Sequence, residues 1–150
     1  MPDSGSATND CVFCAIVEGR APAHVIHEDA LSMAVLDINP LSRGHCLVIP
    51  KRHVPWWHEM TAEETASLHE VARQMARKLM ETFKPDFVCQ YARGRRIPHT
   101  HIFLVPSFAG DVLDRFFNTI ELVQEGPRAL VALKQPDALS ETARLLREMK

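Results

Sequence analysis

The sequence predicts an α+β fold with a mostly antiparallel sheet, and three observations support this class. Between residues 24 and 106, short apolar stretches bounded by turn residues recur in neighbouring pairs. Residues 61–83 instead carry apolar side chains at helical spacing. Further helical periodicity is confined to residues 109–150. Paired strands with helices segregated from them are typical of α+β proteins.

The apolar stretches predict five strands. They cover residues 24–29, 31–37, 44–50, 87–92 and 99–106. The last of these, "HTHIFLVP", begins with two histidines and is closed by Pro106. Because side chains alternate between the faces of a strand, His99, His101 and Phe103 are predicted to share one face.

The helices are predicted from periodicity and from end signals. Thr61 and Glu64 have the spacing of a capping box, and Pro85 ends the main helix. Two further helices are predicted over residues 111–123 and 139–150, with Ser140 as the candidate cap of the second.

Composition limits the classes of function. A net charge of -2 over 150 residues predicts neither a nucleic-acid partner nor a membrane surface partner. No apolar run is long enough to cross a bilayer. Residues 1–10 are polar and are predicted to form a disordered leader on a cytoplasmic protein. Residues 11–150 are then one domain, with residues 109–150 as a helical C-terminal extension.

Cys11 and Cys14 form a C-x-x-C pair, which is half of a zinc site. A tetrahedral structural site needs two more ligands, and these would have to come from distant strands. Histidines cluster at the ends of the predicted strands, at His45, His53, His99 and His101. The alternative is that both cysteines are plain reduced thiols, because C-x-x-C is a short motif with many chance matches.

The paired histidines suit two tasks side by side, with one imidazole fixed and the other free. A neutral imidazole is a competent nucleophile or base near pH 7. The basic stretch just before them, residues 93–96, offers arginine forks and backbone amides to phosphate oxygens, or is simply a solvated turn. Asp37 could accept hydrogen bonds from sugar hydroxyls or form a turn, and Trp56 and Trp57 could stack on a base or cover the core.

These pieces, in this order, resemble the histidine-triad (HIT) nucleotide-binding proteins. The stretch "CVFCAIVEGRAPAHVIHEDALSMAVLDINPLSRGHCLVIPKRHV", residues 11–54, is similar to their N-terminal half. The stretch "IPHTHIFLVP", residues 97–106, is similar to their signature, in which histidines alternate as H-x-H-x-H before apolar residues. The resemblance implies a HIT-like fold, an antiparallel sheet of about five strands with one main helix packed on it, and a homodimer.

The resemblance also implies chemistry at the α-phosphate of a nucleotide or nucleoside-phosphate conjugate. His101 would attack phosphorus and form a nucleotidyl-histidine intermediate that water cleaves. The backbone near His99 would orient its ring, and His45 would support the site. Asp37 would bind ribose, with two further residues near the base, Leu36 and Ile38.

Several bacterial members of the family contain zinc, and the resemblance to them implies a metal site here as well. The positions that match their ligands are Cys11, Cys14, His53 and His99. Such a site would hold one structural Zn²⁺ per chain, because four protein ligands leave no open position for water.

The sequence departs from the family in two places. Phe103 stands where the signature has its third histidine, and it can neither hold a phosphate nor give a proton. After Gly94, Arg95 and Arg96 replace the usual polar residues, and an arginine could compensate electrostatically. Three hypotheses follow: a hydrolase or transferase, a nucleotide-binding protein with weak or lost catalysis, or a zinc-stabilised interaction module.

Overall fold

A computed structural model of the chain describes residues 10–124 and 126–149. All but the last residue of the predicted leader therefore lies outside the described residues. The chain divides into two compact units, one up to Ala109 and one from Gly110 onwards. The assignment of residues 11–150 to one domain stays a prediction.

The first unit contains a five-stranded antiparallel sheet, which confirms the predicted fold class. The strands in chain order are β1 (Val25–Glu28), β2 (Ser32–Leu36), β3 (Cys46–Pro50), β4 (Phe87–Tyr91) and β5 (Ile102–Ser107). Their order across the sheet is β1-β2-β3-β5-β4. Strand β5 therefore lies between β3 and β4.

Strand β5 differs from its predicted range at both ends. It begins at Ile102 because the backbone N–H groups just before it are already used: that of His99 donates to the Ile97 carbonyl, and that of Thr100 donates to the Val54 carbonyl. The histidines thus lie in the segment leading into the strand. At the other end, Pro106 does not close the strand: β5 continues to Ser107, and Pro106 pairs with Val88 of β4 at a level where β3 no longer pairs with β5.

Two layers of side chains cover the two faces of the sheet. Helix α2 (Ala62–Phe83) packs on one face through residues such as Leu68 and Met75, which belong to one buried cluster with Val48 and Leu104. The short helix α1 (Val12–Val17) covers part of the other face. The buried cluster there consists of Cys11, Phe13, Cys14, Met33, Val35, Leu47 and Ile49, with Phe103 packed against it. A 3-10 turn, Trp57–Glu59, precedes α2.

The second unit is helical. Its helices are α3 (Val112–Val123), α4 (Arg128–Leu133) and α5 (Pro136–Glu148). The prediction of Ser140 as a cap is wrong, because α5 begins earlier with a proline at its start, where the missing N–H group costs nothing. No helix among the described residues is both long and apolar enough to span a membrane.

Candidate metal centre and histidine site

Four side chains from three parts of the first unit meet in one cluster. They are Cys11, Cys14, His53 and His99, and their ligand atoms all lie within 4.8 Å of one another. Cys11 precedes α1 and Cys14 lies in its first turn, so the helix brings both thiols to the same side. His53 follows β3, and His99 lies in the segment before β5.

The spacing of the four atoms fits a tetrahedral metal ion. The Cys14 sulfur is 3.2 Å from Nδ1 of His53 and 3.6 Å from Nδ1 of His99, and the Cys11 sulfur is 3.4 Å from Nδ1 of His99. Zinc bonds of about 2.3 Å to sulfur and about 2.1 Å to nitrogen give tetrahedral edges of roughly 3.5 Å.

The surroundings of these four ligand atoms favour the binding of a cation. Nε2 of His99 donates to the Pro50 carbonyl at 2.9 Å, which leaves Nδ1 with its lone pair facing the thiols. Burial lowers the pKa of His99 to about 4, so the ring is neutral. Burial, followed by the hydrogen bond and charge of Cys11, raises the pKa of Cys14 to about 11. A bound divalent cation would reverse that preference and favour the thiolate.

The ring of His101 has a different pattern of hydrogen bonds from that of His99. Its Nδ1 donates to the carbonyl oxygen of His99 at 2.6 Å, so Nε2 keeps a lone pair. The ring is buried beside Phe13, with ring centroids 5.2 Å apart. Phe13 also contacts the ring of His99 edge-on, at 5.6 Å. The ring of Phe13 therefore packs against both imidazoles, that of His99, which belongs to the candidate metal cluster, and that of His101.

A row of three side chains, Phe103, His45 and Asp37, leads away from His101. The ring of Phe103 lies 4.9 Å from that of His101 and 5.8 Å from that of His45. Nδ1 of His45 accepts from the backbone N–H of Leu41, so the neutral ring carries its proton on Nε2. That atom is 3.5 Å from Oδ2 of Asp37 and has no hydrogen-bond partner among the described residues.

Burial lowers the pKa of His45, and the Asp37 carboxylate opposes that shift only in part. His45 is therefore a neutral, buried donor next to a carboxylate. A ligand hydroxyl could accept from its Nε2 and donate to Asp37, which is the pattern that a sugar offers.

The remaining predicted site residues lie on the surface. Leu36 ends β2 and is 39% exposed, and Ile38 is 87% exposed in the loop that follows. Gly94 is half-buried with a φ of +70°, and Arg95 and Arg96 are exposed. The structure brings the four candidate metal ligands together and joins His101 to Asp37 through the side chains of Phe103 and His45, while the roles of all these residues stay predictions.

The sequence patterns did not identify Phe13 or Tyr91. Tyr91 pairs across the sheet with Phe103, and their rings stack with centroids 4.7 Å apart. The only available signal for Phe13 was its place between the two cysteines. For Tyr91 there was none, because its contact depends on the register of β4 against β5.

Comparison with known proteins identifies the family. Residues 18–110 match the family described as HIT domain, and this match takes in more than half of the chain. The chain therefore belongs to the HIT family, in agreement with the fold and with the resemblance of its histidine segment.

Three relatives illustrate the similarity. An uncharacterized HIT-like protein of Mycobacterium tuberculosis is 34% identical over 143 residues, 92% of this chain and 91% of that protein. Adenylylsulfatase HINT3 of Arabidopsis thaliana is 34% identical over 116 residues, 74% of this chain, and the match spans only 59% of that protein's length. The crystal structure of a Zn-bound histidine triad family protein from Mycobacterium smegmatis has a TM-score of 0.65 and 37% identity, covering 71% of this chain and 81% of that chain.

Proposed function

We propose that this protein is a nucleotidyl hydrolase or transferase that acts at the α-phosphate of a nucleotide conjugate, with His101 as the nucleophile. The observation that carries the proposal is the 2.6 Å hydrogen bond from Nδ1 of His101 to the His99 carbonyl. That bond fixes the tautomer, so in the neutral ring Nε2 carries the lone pair. The metal cluster and Phe13 hold the same segment rigid.

The reaction has two steps. The Nε2 lone pair of His101 attacks phosphorus, the N–P bond forms, and the bond to the leaving group breaks with both electrons passing to the leaving atom. Water, or another acceptor, then attacks the nucleotidyl-histidine, and the N–P electron pair returns to Nε2. A hydrolase thus releases the nucleoside monophosphate and regenerates neutral His101.

Binding roles follow from the row of side chains. Asp37 and the Nε2–H group of His45 would hold ribose, and the exposed Leu36 and Ile38 would contact the base. At the other end, the backbone at Gly94 and the side chains of Arg95 and Arg96 would face the phosphate. With these assignments, the substrate would lie along the row of side chains, from its ribose at Asp37 to its phosphorus atom at His101.

Phe103 limits which leaving groups can depart. It has no proton to give, and a leaving amine must gain one as the bond breaks. A leaving sulfate or carboxylate departs as a stable anion and needs none. One similar protein is named an adenylylsulfatase and another an adenosine 5'-monophosphoramidase, so the preference that we propose rests on Phe103.

Zinc is the metal that we propose for the cluster of Cys11, Cys14, His53 and His99. Two sulfur and two imidazole ligands are the donor set of structural zinc sites, and a similar family member is Zn-bound. The ion would stabilise the chain at the point where α1, the end of β3 and the start of β5 meet. Catalysis would stay with the protein's own side chains.

The alternative is a nucleotide-binding protein of the same fold with weak or lost catalysis. The observation that favours it is again Phe103, which fills the space between His101 and His45 with an apolar ring.

The test is turnover of adenosine 5'-phosphosulfate and of adenosine phosphoramidate by the purified protein. We expect turnover of the sulfate, and His101→Ala should abolish it, with a loss of at least about a thousandfold. His24→Ala, at an exposed histidine outside the site, is the matched control and should keep full activity. Phe103→His should raise the phosphoramidate rate relative to the sulfate rate by about a hundredfold, the usual range for one general acid.

Other outcomes would decide against parts of the proposal. Full activity in the His101→Ala protein would show that another group is the nucleophile. Turnover of neither compound by the natural protein, with activity in the Phe103→His protein, would favour the binding alternative.

A further inference from the structure

The single tyrosine of the chain, Tyr91, lies beside the histidine site, and the function proposed above gives it no role. It is the last residue of β4, and its side chain is half-buried. It pairs across the sheet with Phe103, and the two rings stack with centroids 4.7 Å apart and planes only 13° from parallel. Tyr91 thus packs against the residue that stands at the third position of the signature.

The stacking indicates where the phenol oxygen lies. Residues directly opposite each other in a sheet project from the same face, and these two nearly parallel rings begin at opposite positions. We therefore expect the hydroxyl of Tyr91 to lie beside the tip of the Phe103 ring, one C–O bond further from the sheet. The ring of Phe103 in turn lies between those of His101 and His45, at 4.9 Å and 5.8 Å. The expected place of the hydroxyl is therefore beside the middle of the row of side chains.

A carboxylate and a guanidinium both act on this hydroxyl. Burial, followed by the negative charges that Cys89 and Asp37 can carry, raises the pKa of Tyr91. The positive charge of Arg93 opposes that shift. The phenol oxygen is therefore within electrostatic reach of both Asp37 and Arg93. At neutral pH the phenol keeps its proton and can donate a hydrogen bond.

The place of the hydroxyl matches the α-phosphate of a nucleotide that lies along the row. In the proposed function the ribose is at Asp37 and the phosphorus atom is at Nε2 of His101. The oxygens bonded to phosphorus then lie near Phe103, which is between these two ends of the row. These oxygens carry negative charge, and hydrogen bonds to charged oxygens are among the strong ones. A phenyl ring offers them no donor, whereas a phenol does.

We propose that Tyr91 is a substrate-binding residue whose hydroxyl donates a hydrogen bond to a non-bridging oxygen of the α-phosphate, the contact that Phe103 cannot make. The inference rests on the proposed function for the path of the nucleotide. The hydroxyl keeps its proton throughout the reaction, so the leaving group still departs as an anion with the bonding electrons. Because β4 and β3 lie on opposite sides of β5, the phosphate is then bound from both sides of the strand that follows His101.

The first experiment measures binding without turnover, by calorimetric titration with AMP and with adenosine. Tyr91→Phe removes the hydroxyl and keeps the stacked ring. We expect it to weaken AMP binding about tenfold and to leave adenosine binding within about twofold, because adenosine has no phosphate. Thr142→Val, which removes an exposed hydroxyl in α5, is the control and should change neither. Unaltered AMP binding in the Tyr91→Phe protein, or an equal loss for both ligands, would overturn the inference.

Fluorine NMR tests the contact without removing the hydroxyl. Because Tyr91 is the chain's one tyrosine, protein labelled with 3-fluorotyrosine reports on this ring alone. AMP should shift the fluorine signal, and adenosine should shift it much less. The His101→Ala protein should show the same difference, because binding of AMP needs no nucleophile. Equal shifts from the two ligands would show that the tyrosine senses the nucleoside and not the phosphate, and would count against the inference.

Turnover tests whether the hydroxyl takes the place of the third signature histidine. With adenosine 5'-phosphosulfate as substrate, Tyr91→Phe should lower kcat/KM about tenfold or more. In the Phe103→His background the same change should cost less than about threefold, because the imidazole then donates to the same oxygen. Equal losses in the two backgrounds would contradict the idea that the two side chains serve one oxygen.

These experiments separate the inference from the proposed function. Failure of the natural protein to bind AMP at up to about 10 mM would decide against both. AMP binding that needs the hydroxyl, without turnover of either substrate, would overturn the proposed hydrolase and leave the phosphate contact standing. Turnover that depends on His101 but not on the hydroxyl of Tyr91 would do the reverse.

Discussion

Gly44 occupies a position that other residue types cannot take without strain. Its φ is +93°, and a Cβ placed there would lie 2.5 Å from the ring of Phe83 and 3.0 Å from the side chain of Leu79. Both of these side chains belong to the last turn of α2, and Gly44 lies just before β3. This glycine therefore allows the backbone to approach the helix closely, directly beside His45.

We expect Gly44→Ala to destabilise the protein by about 3 kcal/mol or more, since a left-handed φ costs about 1–2 kcal/mol and the clash adds the cost of overpacking. Urea unfolding at pH 7 measures the change. Gly19→Ala is the matched control: its φ is +71°, but nothing lies within 4 Å of the added Cβ. It should show the backbone cost alone. Equal losses in the two proteins would mean that the ring of Phe83 moves aside freely.

The first turn of helix α2 is fixed by a side-chain network. Thr61 and Glu64 form a capping box, and the Glu64 carboxylate also binds Arg52 through two hydrogen bonds, one of them 2.8 Å long. The bonds from Arg52 lower the pKa of Glu64 to about 2 from its ordinary value of 4.5. The network ties the start of α2 to the segment that carries His53.

The lowered pKa of Glu64 sets a pH window for this contribution. Because folding favours the charged form of Glu64, the stabilisation is complete above pH 4.5 and is lost as the pH falls towards 2.

A glutamine in place of Glu64 tests this prediction, because it keeps the cap but not the charge. We expect Glu64→Gln to lose about 1 kcal/mol at pH 7, and this difference from the natural protein should shrink steadily below pH 4.5, by urea unfolding at each pH. Glu63→Gln, one residue earlier and exposed, should show no such trend. A difference that stays constant down to pH 3 would contradict the role of the charge.

We expect the candidate metal cluster of Cys11, Cys14, His53 and His99 to have the same kind of structural effect on α1. This helix has six residues, too few to be stable alone, and Cys11 and Cys14 join it to the segments that carry His53 and His99. We expect the purified protein to contain one Zn²⁺ per chain by atomic emission. Cys14→Ser should lose the metal and lower the Tm by more than about 5 °C, which corresponds to roughly 2 kcal/mol for a chain of this length. Cys89→Ser, at a cysteine outside the cluster, should keep the metal. Stoichiometric zinc and full stability in the Cys14→Ser protein would show that the ligand set is wrong.

The whole molecule is predicted to form a homodimer, as the family resemblance implies. Strand β4 is at the edge of the sheet, with Phe87 46% exposed on it and Met80 of α2 40% exposed. An edge strand beside exposed apolar side chains is a typical site for pairing with a second copy. Analytical ultracentrifugation should show a dimer, and Met80→Glu with Phe87→Glu should shift it to monomer. Leu31→Glu, at an apolar residue 38% exposed elsewhere, is the control. A natural protein that sediments as a monomer would contradict the prediction.

The sequence by itself determined the features that depend on local physics. Periodicity located the strands and helix α2, because alternation and helical spacing are properties of consecutive residues. The spacing of Thr61 and Glu64 predicted a helix cap, because the two residues lie one turn apart, and the structure confirms it. The C-x-x-C pair indicated half of the candidate metal cluster for the same reason. Helix α4 was missed because six residues carry too little pattern.

Only the tertiary structure decided what depends on residues far apart in the chain. Strand β5 begins at Ile102 because the Thr100 N–H group donates to Val54, 46 residues earlier, and no local pattern contains that bond. The different tasks that we propose for His99 and His101 follow from which ring nitrogen donates to a backbone carbonyl. The cavity lined by Trp56, Trp57 and Gly94 likewise arises where two distant loops meet. The set of residues that line it depends on how those loops pack together, and the spacing of residues within either loop cannot predict that.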